Sequence, residues 1–163
     1  MIHDRPIPFR FALAFVLSIV CLVLPAWADF ETAMDAYNRK DYATALREWQ
    51  ALAEQGEADA QDFLGTLHFK GWGVAQDYTK ARQWWEEAAA QGSASAQSDL
   101  ALLYANGLGG SQDLLRAYMW YSLAAGNGYE IATGYRNDLA KQMTPAQIAE
   151  AQQLAREWKP LKK

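Results

Sequence analysis

An all-helical solenoid of stacked antiparallel helix pairs, closed at its C-terminal end by a two-helix cap, is the fold this 163-residue sequence predicts. Three observations predict it. The chain repeats itself every 36 residues, the apolar residues inside each repeat recur at spacings of three and four, and the pattern stops after Gly128, where two different amphipathic segments take over.

The repeat is visible without gaps. Laying residues 57–92 over 93–128 gives 14 identities in 36 positions, and the same spacing relates Asp41, Asp77 and Asp113, then Ala45, Ala81 and Ala117, then Gly56, Gly92 and Gly128. A fixed period of this length means units that bury their apolar faces against their neighbours.

Within one unit, Ala60, Phe63, Leu64 and Leu67 form one helical stripe, and Tyr78, Ala81, Trp84, Trp85, Ala88 and Ala89 form another. Gly71-Trp72-Gly73 separates them, because glycine tolerates positive φ and weakens helix continuation. Asp77 and Asp113 are placed to accept the orphan amide hydrogens that open the second helix, and Gly92 and Gly128 to close it in the left-handed conformation.

Leu64-Gly65, His68, Gly71-x-Gly73-Val74, Asp77, Lys80-Ala81, Trp84-Trp85, Ala88-Ala89 and Gln91-Gly92 together resemble the Sel-one-like repeat, a relative of the tetratricopeptide repeats. Residues 93–128 resemble it too, with Tyr104 at the position of His68, Gly110 at that of Val74, and Ala101 replacing the glycine after the leucine. The opening unit, residues 29–56, is closer to a plain tetratricopeptide unit: Tyr37 to Asp41 is four residues where His68 to Asp77 is nine, so its glycine loop is missing. The resemblance implies a right-handed superhelix and a non-enzymatic role in recognising a protein or peptide partner in the cell envelope. The alternatives it carries are a structural component of an envelope complex and a hydrolase on cell-wall or lactam-type substrates, the latter implied only by cysteine-rich members whose regularly placed cysteines residues 29–163 lack.

The two ends read differently from the repeats. Arg5 and Arg10 precede the apolar run Phe11 to Leu24, which Pro25 and the small-x-small triplet Ala26-Trp27-Ala28 follow, the order of a cleaved secretory leader spanning 1–28. An uncleaved anchor extended to Trp27 is the alternative. Cys21 follows Val20 inside the run, an unsuitable context for lipid attachment. Cleavage would remove Asp4, Arg5 and Arg10 from 15 basic and 19 acidic residues, leaving net charge −5, together with the sole cysteine. The mature chain, 29–163, is then expected outside the cytoplasm, free of disulfides and with no stable membrane insertion.

Beyond Gly128, Ile131, Tyr135 and Leu139 at spacing four predict one helix, and Thr144-Pro145-Ala146-Gln147 opens another with a capping box and proline at the first helical position. Ile148, Ala151, Leu154, Ala155 and Trp158 make its apolar stripe. Between repeats, Thr79, Arg82, Gln83 and Glu87 become Leu115, Tyr118, Met119 and Leu123. A helix apolar on every side is a buried one, so residues 129–158 are expected to fold back over it as the cap.

The residues carry little that suits catalysis. His68 is the only histidine left after cleavage and stands at an aromatic packing position, with no cysteine and no serine elbow to serve. Metal binding lacks ligands. Gly107-Leu108-Gly109-Gly110-Ser111 follows a helix, whereas phosphate-cradling loops follow a strand, so no nucleotide cofactor is expected. No basic stripe exists for nucleic acid. Glu86 and Glu87 diverge by about 100° on a helix and cannot act as a pair. Trp49, Trp84, Trp85 and Trp120 fall at repeat-equivalent or stripe positions that suit packing.

What remains is a binding surface. In repeats of this kind the first helix of each pair lines the inner surface. The off-stripe residues there are Glu31, Asp35 and Asn38, then Asp62, Thr66 and Phe69, then Ser98, Leu102 and Ala105. Acidic at the N-terminal end and apolar at the C-terminal end, this series suits an extended peptide with a basic stretch and an aliphatic anchor. Trp72, between two loop glycines, is either an exposed anchor or a buried plug, and Leu108 is its counterpart.

Overall fold

The computed structural model describes residues 26–161, and the leader read from residues 1–28 lies outside them except for its last three. The described chain forms eight α-helices: α1 (Ala26–Asn38), α2 (Tyr42–Glu54), α3 (Ala58–Lys70), α4 (Tyr78–Ala90), α5 (Ala94–Asn106), α6 (Leu114–Gly126), α7 (Ile131–Ala140) and α8 (Pro145–Glu157). Each of the first six packs on its chain neighbours, and α3 also touches α5 directly. Odd-numbered helices therefore crowd along one face and even-numbered helices splay along the other.

The termini follow the sequence. Asp41, Asp77 and Asp113 accept hydrogen bonds from Thr44, from Thr79 and Lys80, and from Arg116. Gly56, Gly92 and Gly128 turn the chain at φ of 89°, 96° and 95°. The second loop glycine answers to a different constraint: a Cβ on Gly73 would strike the Tyr42 carbonyl, and one on Gly109 the Tyr78 carbonyl. Each loop thus rests against the opening of the previous even helix. In the first unit, Lys40 takes the left-handed turn at φ 63°, at a cost of roughly 1 kcal/mol for a residue with a Cβ.

Side-chain size is matched across each pair. Trp85 is buried and fills the space beside Gly65, where a Cβ would overlap the indole ring; one unit later Ala101 is matched with the smaller Tyr121. Two buried glutamines staple the units together. Gln61 donates to the Ala53 carbonyl and accepts from Gln91, while Gln97 donates to the Ala89 carbonyl and accepts from Asn127, the same bonds displaced by 36 residues.

The cap folds back as expected, with α7 and α8 both packing on α6 and Tyr118 buried beneath them. Leu115, Met119 and Leu123 are half-covered. The capping box of Thr144 and Gln147 forms in full. The cap's stripes are less completely used than their spacing suggests: Ala132, Leu139 and Ala151 are buried, whereas Ile131, Tyr135 and Leu154 stay exposed. The reason is geometric, since among the described residues α7 packs mainly on α6, which leaves its outer side uncovered.

Candidate functional site

The odd-helix face carries the predicted groove residues in two groups. Glu31, Asp35 and Asn38 on α1 are exposed. Asp62, Thr66 and Phe69 on α3 and Leu102 and Ala105 on α5 are half-buried, and Ser98 is buried. Phe69 is largely spent on packing, with its ring 5.4 Å from Tyr78 and 5.5 Å from Trp85. Ala105 likewise packs on the core of the last two units.

Asp62 gains a neighbour that the residue series does not include. Its Oδ2 accepts from the Ser95 hydroxyl, its Oδ1 is buried without a partner, and burial pushes the carboxyl above its ordinary range against the pull of Ser95 and Trp85. Asp99, one turn along α5 from Ser95, is pushed up to about 7, first by burial and then by the charge of Asp62, with Lys70 opposing. Two carboxylates thus share one poorly solvated patch, and each proton lost there is resisted by the other group. Beyond them α7 presents Ile131 and Tyr135, 61% and 51% exposed, beside Tyr129. Asp99 is half-buried, and the residue one period earlier is Phe63, so repeat comparison alone conceals it.

The loop candidates sit elsewhere. Trp72 stacks on Tyr42 with ring centroids 4.8 Å apart and lies 6.0 Å from Tyr37, so one face of the indole belongs to the first unit. Leu108 packs on the core of the later units. Both remain half-exposed.

On the even-helix face the two inter-unit junctions differ. Between α4 and α6, Tyr104 is enclosed by Arg82, whose guanidinium lies 4.3 Å from the ring centre and donates to the phenol oxygen at 2.8 Å. The phenol hydroxyl donates to Glu86, and Gly110 leaves room for the Arg82 side chain. Between α2 and α4 the equivalent residue is His68, 5% exposed, with Nδ1 buried and unpartnered. Burial and then Lys80 push its pKa down, so the imidazole is neutral, with Asp77 opposing. It floors a cavity of about 500 Å³ whose other walls are Gln50, Lys80, Gln83, Trp84 and Glu87. Among the described residues no group of three or more His, Cys, Asp or Glu is placed to hold a metal ion, and no helix is long and apolar enough to cross a membrane.

With this geometry in place, a family model described as the Sel1 repeat matches residues 58–93 and 94–129. No curated protein matches the sequence. The crystal structure of a Sel1 repeat protein from Oxalobacter formigenes is similar at 33% identity and TM-score 0.63, over 69% of this chain and 88% of that one. The crystal structure of c5321, a protective antigen present in uropathogenic Escherichia coli strains displaying an SLR fold, is similar at 29% identity and TM-score 0.78, over 82% of this chain and 30% of that one. The chain therefore spans about a third of that antigen's length.

Proposed function

This chain belongs to the Sel1 repeat family, generally a family of protein-interaction modules whose fold is typically a non-enzymatic scaffold, and on that premise we propose that it is an exported binding protein that holds an extended basic peptide of a partner on its odd-helix face. The observation that carries the reading is the juxtaposition of Asp62 and Asp99 with the exposed Tyr129, itself beside Tyr135 at the start of the apolar surface that Ile131 extends. A lysine or arginine side chain entering between the carboxylates relieves their mutual repulsion, and an aliphatic residue further along covers Ile131. The row of Glu31 and Asp35 on α1 extends the acidic track toward the N-terminal end. Export is supported by the apolar run closed by Ala26-Trp27-Ala28, and predicts a mature chain that begins at Asp29 by intact-mass measurement of the extracytoplasmic fraction.

The test is affinity capture with the mature protein, identification of the retained partner, and measurement of its affinity for Asp99→Lys and Leu102→Asp variants that keep the parent's circular dichroism. Loss of at least about tenfold in affinity is expected for Asp99→Lys. Unchanged affinity in both folded variants would remove the odd-helix face from the account.

A further inference from the structure

The chain's own C-terminal segment shows how the even-helix face takes an extended peptide. After α8, Trp158 leaves the helix with extended backbone at φ −65° and ψ 140° ahead of Pro160. Its indole meets Trp120 of α6 edge to face at 5.7 Å, and the Leu161 amide donates to the Ala90 carbonyl at the end of α4 at 2.8 Å. That carbonyl is one of the orphan acceptors of a helix C-terminus, since the amides of Gln91, Gly92 and Ser93 go to Ala88 and Ala89 instead. The segment therefore spans the α4–α6 groove on two fixed points, an aromatic side chain and an orphan carbonyl.

One period earlier both fixed points recur without an occupant. Trp84 stands 36 residues before Trp120, and Glu54 stands 36 before Ala90. The amides after α2 go to Leu52 and Ala53, so among the described residues the Glu54 carbonyl accepts no hydrogen bond. Between these points lies the cavity over His68. Tyr104 with Arg82 and Glu86 fills the corresponding position of the next junction, whereas here the shorter imidazole keeps a buried nitrogen without a partner. The cavity's charged lining groups are Glu87, which also accepts from Gln61, and Lys80, with Asp77 capping α4 behind His68. Glu54, one turn along α2 from the lining residue Gln50 and accepting from its amide, adds a second acid at the edge of the groove, and Lys80 has no ion-pair partner among the described residues.

We infer that the α2–α4 groove is a second peptide-docking site, which takes an extended partner segment built like this chain's own tail, an aromatic residue followed by a basic residue, proline and an aliphatic residue. The aromatic side chain enters the His68 cavity against Trp84, and the backbone amide three residues on donates to the Glu54 carbonyl. The basic residue faces Glu87 and Glu54, an arrangement that the wholly apolar Met119 and Leu123 of the next groove do not offer. This site is distinct from the odd-helix face and does not depend on it.

The probe is a six-residue peptide with the sequence of residues 158–163, titrated calorimetrically into the full protein. A one-to-one complex is expected, and His68→Tyr, which installs the residue of the next unit and fills the cavity, should weaken it by about tenfold or more while leaving the melting temperature equal or higher. Gln83→Trp blocks the same groove from an exposed position without touching the core, and gives the same reading if His68→Tyr fails to fold. Absence of binding to the parent protein would overturn the inference. So would a complex of unchanged affinity in the folded variants, because the peptide would then be displacing the native tail from the α4–α6 groove.

Discussion

The units spanning 57–92 and 93–128 share one backbone and differ in how their even helices are covered. α4 keeps a polar outer side, with Gln83 and Glu87 toward solvent, and leaves a cavity in front of it. α6 carries Met119 and Leu123 at those positions and is clasped by α5, α7 and α8. The same fold therefore serves as an open surface or as a closed core depending on a few side chains that do not affect stacking. Stacking depends on the glycine and aspartate positions and on the buried glutamines, which are identical in both units.

The strongest way to break this comparison is to remove what closes the second unit. Truncation after Gly128 uncovers Leu115, Tyr118, Met119 and Leu123 together, an apolar area of the kind that drives association. Loss of cooperative unfolding and large species in size-exclusion chromatography are expected. A monomeric, cooperatively melting truncated protein would show that α6 does not need its cap.

Next comes the matched pair of small and large residues. Gly65→Ala places a methyl group inside the Trp85 ring and should cost about 3 kcal/mol in chemical denaturation. Ala101→Gly in the other unit removes a methyl beside Tyr121 and should cost about 1 kcal/mol, the ordinary helical penalty. Adding Trp85→Tyr to Gly65→Ala copies the second unit into the first and should recover most of the loss. Strict additivity of the two changes would refute the matching.

The buried glutamines allow a smaller and sharper comparison. Gln97→Leu strands the Ala89 carbonyl and the Asn127 side chain and should cost about 2 kcal/mol. Gln61→Leu strands the equivalent, equally buried Ala53 carbonyl and the Gln91 side chain and should cost about the same. A much smaller loss in denaturant midpoint at either site would contradict the equivalence of the two staples.

Local rules explain what the sequence made legible. The aspartate caps, the closing glycines and the capping box depend on residues within one turn of each other, the period on identities at a fixed spacing of 36, and all are readable. The glutamine staples were within reach, since Gln61 and Gln97 are among the repeat identities, but an amide in a helix reads as a solvated residue unless its burial is known. Trp72 stayed ambiguous because its partner Tyr42 opens the preceding unit's second helix, a contact set by stacking and not by spacing. Asp99 was invisible for a similar reason. Its burial and its charged neighbour come from separate helices, and no periodic signal marks it.

Asp99 gives the smallest of the expected effects, and its sign follows from linkage. The carboxyl sits at about 7 in the folded chain against an ordinary 3.8, so between those values the folded state holds a proton that the unfolded state has released. Stability is then fully present below about pH 4, falls as pH rises, and levels off once pH passes about 7. Asp99→Asn removes the ionisation while keeping the shape. The variant should match the parent near pH 4 and exceed it by about 1 kcal/mol at pH 8, a figure held low because Asp99 retains some contact with solvent. α3 offers no counterpart, since the residue one period earlier is Phe63, so the flattening of the pH profile is specific to the second unit. A bound lysine between Asp62 and Asp99 would favour the ionised form and pull the Asp99 pKa down. Peptide binding should accordingly release a proton and strengthen as pH rises from 6 to 8, with the dependence absent in Asp99→Asn. Calorimetric titration in buffers of different ionisation enthalpy measures that proton directly, and binding with no proton release near neutral pH would place the basic residue away from this pair.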